Sequence, residues 1–370
     1  MADLNAVLSR SEEIILNLRS LFGSYGYTHC SVGPFEEYDF YARNRSALPG
    51  EEVLIFTDAD GRLMALKPDV TMSIVKTVQE NQPGLRKLCY NEPVYRIPTG
   101  GAGFRETVQT GLECIGNLDA YTVGEVLMLA LKSLRSIQNT YILNLSHLGI
   151  LDGLLDQALT ENQDRGAILK AMGQKNTPAL QAACEGCGME RRYADALQTL
   201  MTLYGPLRDS LPQVEALAEG EKMMAAVSQL REIRDSMECY GLGDHLHLDF
   251  SIRGGTDYYS GLVFRGFVEG VASPVLSGGR YDQLIGRMGK RAGGIGFAVY
   301  LDQLGRKKQK APQEEALLLY DDSVSLEQVI RTISVLKQDG LRVRADREIP
   351  ADCSYARVLK LTESGVTEVG

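Results

Sequence analysis

Apolar residues at Ile14, Ile15, Leu18, Leu21 and Phe22 recur with the rhythm of a helix, and Ser9 with Glu12 stands before them at capping-box spacing. Gly23 and Gly26 break that helix, and Tyr27 to Pro34 reads as extended chain. Residues 52–66 predict a hairpin, VLIFT and RLMAL around a turn at Asp58-Ala59-Asp60-Gly61. Pro68 suits the first turn of a helix that continues through Met72, Val75 and Val78. Strands are expected over 87–96 and 105–115, joined by the loop Thr99-Gly100-Gly101-Ala102-Gly103, and a long helix over 119–138.

From 150 to 244 the period turns helical throughout, which reads as an all-helical insertion into a sheet domain. Strands resume at 246–252, 261–269 and 294–299. Lys307 to Gln313, with Pro312, reads as a polar linker. Beyond it come a strand at 316–320, a helix from Ser325 to Gln338 and a strand at 341–345. The expected domains are therefore 1–149 with 245–306, the insertion 150–244, and a small unit 313–370.

Composition narrows the class. The 370 residues leave room for two or three domains, and 44% hydrophobic with 24% charged residues is ordinary for a globular protein. A formal net charge of -9 counts against a surface built to hold tRNA phosphates. No apolar run reaches bilayer length and the start lacks a secretory pattern, so a cytoplasmic, membrane-free protein is expected. Seven cysteines, an odd number, fit free thiols. Cys184 and Cys187 have C-x-x-C spacing, but no second pair completes a zinc site. His245 and His247, on a strand, would share one face; without further ligands they are expected to be structural.

Three distant segments resemble, in the same order, the pocket of one family, and their residue types suit a free amino acid. Leu66-Lys67-Pro68-Asp69-Val70-Thr71 brings a carboxylate and a hydroxyl. Tyr95-Arg96 and Arg105-Glu106-Thr107-Val108-Gln109-Thr110-Gly111-Leu112-Glu113 bring Gln109 and Glu113, four apart and so on one face of a strand. Arg253 with Asp257-Tyr258-Tyr259 brings a guanidinium and two phenols. An ammonium group would take Asp69, Glu113 and the amide oxygen of Gln109. Bland readings compete: Asp69 as a simple helix-terminus charge, Glu113 as a solvent-facing one, and Gly278-Gly279 as a tight turn.

In this order the segments resemble L-R-P-E-G-T, F-R … R-Q-F-x-Q-x-G-x-E and R-G-L-D-Y-Y of histidyl-tRNA synthetases. SGGRYDQL (277–284) and GFAVYLDQL (296–304) are similar to the family's S-G-G-R-Y-D and G-F-A-x-G-L-E-R-L. Gly26, Pro34 and Glu37 resemble motif 1 of class II synthetases, which builds a dimer interface. The resemblance spans residues 10–305 and implies an α+β fold: a class II aminoacyl-tRNA synthetase-like antiparallel sheet core with a helical insertion and a small C-terminal α/β unit. It implies a histidine site of Asp69, Thr71, Gln109, Glu113, Arg253, Tyr258 and Tyr259. Arg96, Arg105 and Tyr281 stay open between anion binding and structure.

The departures concern the nucleotide. Gln303 stands where the family's arginine clamps ATP phosphate, and it lacks the charge and the forked donors of guanidinium. After Arg96 the chain reads IPTGGAGF, without the charges of the family's E-R-P-Q-x-G-R-Y. Arg253 is one residue farther from D-Y-Y, because of Gly254-Gly255-Thr256. These losses, with NLSHLGI (144–150), YSGLVF (259–264) and the reduced tail, resemble one branch of the group, the regulatory subunits of ATP phosphoribosyltransferase. That branch implies a subunit with no catalytic residues and no cofactor. It implies a homodimer that partners a short-form catalytic subunit in the first step of histidine biosynthesis and confers inhibition by L-histidine. A tRNA partner is disfavoured. Two other readings remain open: a working histidyl-tRNA synthetase of divergent sequence, and an amino-acid-sensing pseudo-synthetase with another partner.

Overall fold

The computed structural model describes residues 8–48, 53–78, 84–96, 103–160, 165–253, 258–304, 315–350 and 355–369. The loop at 97–102, the segment Gly254 to Asp257 and the linker Lys307 to Gln313 lie outside the described residues. The chain forms two compact units, Ile14–Gly305 and Met1–Glu13 with Arg306–Gly370.

Helix α1 (Arg10–Ser24) opens with the reciprocal cap its sequence predicts: Glu12 N–H donates to Ser9 Oγ at 3.3 Å and Ser9 N–H to Glu12 Oε2 at 2.8 Å. Strand β1 (Thr28–His29) follows, then β2 (Phe35–Glu37) and α2 (Tyr38–Arg43). The hairpin of β3 (Ile55–Thr57) and β4 (Leu63–Leu66) joins β2 in a three-stranded sheet ordered β2-β4-β3. Helix α3 (Val70–Thr77) begins after Pro68, which stands before the cap instead of in the first turn. Asp69 is its N-cap, accepting from Met72 N–H at 2.8 Å with the extended backbone that an N-cap adopts.

Strands β5 (Arg86–Arg96) and β6 (Arg105–Gly116) precede α4 (Ala120–Ile137), β7 (Tyr141–His147) and α5 (Leu148–Ala158). Then come α6 (Gly166–Gly173), α7 (Thr177–Gly186), α8 (Arg191–Thr202), β8 (Tyr204–Pro206), α9 (Leu207–Leu217) and α10 (Gly220–Cys239). The larger unit closes with β9 (Leu246–Asp249), β10 (Leu262–Val268), β11 (Leu276–Arg280), α11 (Asp282–Arg287) and β12 (Gly293–Tyr300).

Nine strands make one sheet, ordered β1-β5-β6-β12-β11-β10-β7-β9-β8. The run from β5 to β7 is antiparallel, while β1 joins β5 and β9 joins β7 in parallel. One face packs on α4, whose Val126, Leu127, Ala130 and Leu134 are fully buried. That core continues into α5–α10, so the helical stretch buries its apolar positions together with the sheet. The other face carries α3, α11 and a second core around Tyr90, Val94, Ile115 and Ile285.

Three readings change. The 150–244 stretch is not wholly helical: β8 pairs with β9 and forms the sheet's edge. Gly278-Gly279 is not a turn but the middle of β11, between β10 and β12. A Cβ on Gly279 would sit 2.5 Å from the Tyr259 ring, which explains glycine in a strand. His245 belongs to a short 3-10 helix (Gly243–His245) and stacks on Tyr141 at 4.2 Å, so it does not share a strand face with His247. Among the described residues no His, Cys, Asp or Glu group could hold a metal. Cys187 Sγ donates to the Cys184 carbonyl at 3.2 Å. No described helix is long and apolar enough to cross a membrane.

The smaller unit contains β13 (Glu315–Leu319), α12 (Leu326–Gln338), β14 (Arg342–Asp346), β15 (Arg357–Thr362) and β16 (Gly365–Glu368). Its sheet is ordered β14-β13-β15-β16, and Ser325 with Gln328 forms a capping box on α12. The last two strands were not foreseen.

Candidate functional site

A pocket of about 170 Å3 opens on the α3 face of the large sheet. It is smaller than the ~300–1,000 Å3 typical of drug-sized ligands and suits a single amino acid. Of the residues anticipated from sequence, Asp69, Thr71, Arg96, Gln109, Glu113, Tyr258, Tyr259 and Tyr281 all line it.

Glu113 is the electrostatic centre. It is 1% exposed, on β6, and both its oxygens are engaged: Thr71 Oγ1 donates to Oε1 at 2.5 Å and the Tyr281 hydroxyl to Oε2 at 2.5 Å. Burial pushes its carboxyl up to about 8; the two hydroxyl donors pull against that shift and Asp69 adds to it. The solvent-facing reading of Glu113 is therefore excluded, and Tyr281 is a partner of Glu113. Space for that carboxylate is made by Gly296 across the ladder, where a Cβ would stand 2.0 Å from Glu113 Oε2.

Asp69 does two jobs. One oxygen caps α3, and the carboxylate also meets Arg96 Nη2 at 3.6 Å and the Tyr258 hydroxyl at 3.4 Å. Burial raises its pKa, and the guanidinium of Arg96 opposes the rise. Arg96 Nε also donates to the Pro68 carbonyl at 2.6 Å. Gln109 is buried, 4% exposed. The Tyr258 and Tyr259 rings pack at 4.7 Å, and burial raises both phenols, so they remain neutral donors. The cluster thus presents a cation with two carboxyls and an amide oxygen, and a polar side chain with phenolic hydroxyls.

Three anticipated residues lie elsewhere. Arg253 lines a separate pocket of about 220 Å3 with Asp152 and Lys222; Tyr259 borders both. Arg105 is exposed at the start of β6, opposite Arg96. Gln303 is exposed in the short helix Leu301–Leu304, its amide donating to Asp302 at 3.1 Å.

Tyr90, Ser277 and Tyr300 also line the pocket without having been anticipated. Tyr300 had a signal: it occupies the second glycine of the pattern G-F-A-x-G-L-E-R-L that this segment resembles. Gly296, Ala298 and Tyr300 alternate on β12 and all line the pocket.

A histidyl-tRNA synthetase family model matches residues 4–304. The chain belongs to the histidyl-tRNA synthetase family, and its mostly antiparallel sheet with flanking helices is the class II synthetase-like fold. Within it, the chain is similar to an ATP phosphoribosyltransferase regulatory subunit from Desulfitobacterium hafniense, 31% identical over 302 residues, 80% of this chain and 77% of that one. A solved ATP phosphoribosyltransferase regulatory subunit/histidyl-tRNA synthetase from Bacillus halodurans shares the fold, with a TM-score of 0.76 at 22% identity, covering 94% and 91% of the two chains. A chain of an ATP phosphoribosyl transferase (HisG:HisZ) complex from Thermotoga maritima matches with a TM-score of 0.61 at 17% identity, covering 78% and 96%.

Proposed function

We propose that the chain is a regulatory, non-catalytic subunit of ATP phosphoribosyltransferase. It would be required by a short-form catalytic subunit in the first step of histidine biosynthesis and would carry inhibition by L-histidine. The observation that carries this reading is a contrast: Asp69, Gln109, Glu113 and Tyr258 converge on an amino-acid-sized pocket, while Tyr300 on its wall and the exposed Gln303 outside it stand where the related pattern has glycine and arginine. The names of the relatives support the same assignment.

In this reading the ammonium of histidine meets Asp69 and the Gln109 oxygen, and its imidazole meets the Glu113, Tyr258 and Tyr259 side of the pocket. Arg96 is placed to take the carboxylate as the ligand displaces it from Asp69. Adenylation would need cationic stabilisation of ATP phosphates, which an exposed Gln303 does not supply. The 150–244 insertion and the small 313–370 unit remain a proposed domain division.

The test mixes this chain with a short-form catalytic subunit and follows phosphoribosyl transfer from phosphoribosyl pyrophosphate to ATP. The expected result is activity only when both chains are present, inhibited by histidine. Histidine-dependent ATP–pyrophosphate exchange by this chain alone would instead establish a working synthetase.

A further inference from the structure

The proposed function uses neither Arg253 nor the cavity of about 220 Å3 that it lines. That cavity lies where α5, α6 and α10 meet the chain between β9 and β10, and Tyr259 borders both it and the amino-acid pocket. Its apolar side is built by Leu148, Leu151 and Leu169. Its polar side carries Asp152, Lys222, Arg253 and Ser260.

The charges here do not pair off. Asp156 takes both Arg165, at 2.8 Å, and Lys222, at 2.9 Å, and Lys222 stands 4.0 Å from Asp152. Arg253 feels the field of Asp152, yet its guanidinium makes no hydrogen bond or ion pair among the described residues. Burial lowers its pKa and Asp152 opposes the shift, so a partly desolvated guanidinium stands with its fork of donors open. The residue is nonetheless held in place. Its backbone carbonyl accepts from Arg265 Nη2 at 3.4 Å, and its Cδ lies 4.0 Å from where a Cβ on Gly173 would stand. Ser260 Oγ accepts from Asp282 N–H at 2.9 Å, which leaves the hydroxyl proton for another acceptor.

We propose that this cavity binds a small monocarboxylate with an apolar body. A carboxylate fits the open guanidinium through two parallel N–H···O bonds, and the Ser260 hydroxyl can add a third donor. Among the described residues Arg165, Lys222 and Arg253 face Asp152 and Asp156, so one negative charge on the ligand balances the cluster. Phosphate brings more charge than that balance takes, and a neutral amide brings none. Leu148, Leu151 and Leu169 give the ligand's body an apolar wall. The volume is below the ~300–1,000 Å3 of drug-sized sites, which keeps the ligand small. A ligand seated there touches α5, α6 and the chain between β9 and β10 together, and so fastens the helices to the sheet.

The test is calorimetry on the full chain with benzoate, benzamide and inorganic phosphate as probes. Benzoate should bind about tenfold or more tighter than either of the others. Arg253→Gln should weaken benzoate about tenfold. Leu169→Trp, which fills the cavity from the α6 side, should do the same with Arg253 in place, and decides alone if Arg253→Gln lowers the melting temperature. Arg96→Gln, in the amino-acid pocket, should leave benzoate binding unchanged. Benzamide or phosphate binding as tightly as benzoate would overturn the assigned ligand class. Absence of binding at about 10 mM, or loss on Arg96→Gln with none on Leu169→Trp, would overturn the site. The measurement uses this chain alone, so it stands or falls apart from the regulatory reading.

Discussion

The two ends of β12 line one pocket and have been treated differently. At its start, Gly296 and Ala298 keep the surface low, leaving room for Glu113 and a ligand. At its end Tyr300 raises a phenol into the cleft, and Gln303 follows in solvent. Between them Ile295, Phe297 and Val299 point the other way, into the core shared with α4. The strand's period of two explains how this is possible. One face can exchange its pocket residues while the opposite face, which holds the fold, stays unchanged.

The largest expected effect falls at the preserved end. Gly296→Ala puts a methyl 2.0 Å from Glu113 Oε2 and 2.4 Å from the Leu112 carbonyl. It should cost about 3 kcal/mol or more, read as a large drop in melting temperature. A melting curve matching the parent would mean that the carboxylate is not packed against this strand.

Glu113→Gln sharpens the comparison through pH. The folded-state value of about 8 lies above the unfolded glutamate's ~4.3, so the folded chain retains the proton through that window. Its contribution to stability is full below the lower value and falls as pH rises towards the upper one, by up to about 1.4 kcal/mol per unit. The glutamine variant should flatten the stability profile between pH 5 and 8 (approximate limits set by those two values). It should also weaken histidine binding, since an amide replaces the carboxyl group that the imidazole meets. Equal slopes for parent and variant would reject the assignment of the titration to Glu113.

A smaller effect is expected at the Tyr300 end. Gln303→Arg alone, at an exposed site, should leave the melting temperature almost unchanged. Combined with Tyr300→Gly, it should give detectable ATP binding by calorimetry, because room and charge return together. No gain in the double variant would show that the losses after Arg96 matter more.

Much of the pocket was readable in the sequence. Glu113 and Gln109 sit four apart on a long strand, and Asp69 caps a helix whose first turn carries Thr71, so residue type and spacing already put them on usable faces. Arg253 is different. Its distance from Tyr258 along the chain says nothing of which pocket its guanidinium enters, and the side chain lines the neighbouring one. Strand β7 was missed because Asn144, Ser146 and His147 interrupt its apolar run, although all three are buried. Strand β11 was missed because glycine pairs signal turns locally. Only the partner strands show that Gly278 and Gly279 are there for close approach. Tyr281's role needed the fold as well, since its contact, Glu113, lies on another strand.

The pairing of Leu112 with Phe297 has a consequence for synthesis on the ribosome. Strand β6 emerges with β5 along one side and an open edge along the other, and its proper neighbour is β12. At ~5–20 residues per second, roughly 10–40 s pass before that neighbour is made. Throughout this interval the nascent chain displays an unpaired strand edge beside the oily flank of α4, which is the type of surface that chaperones shield.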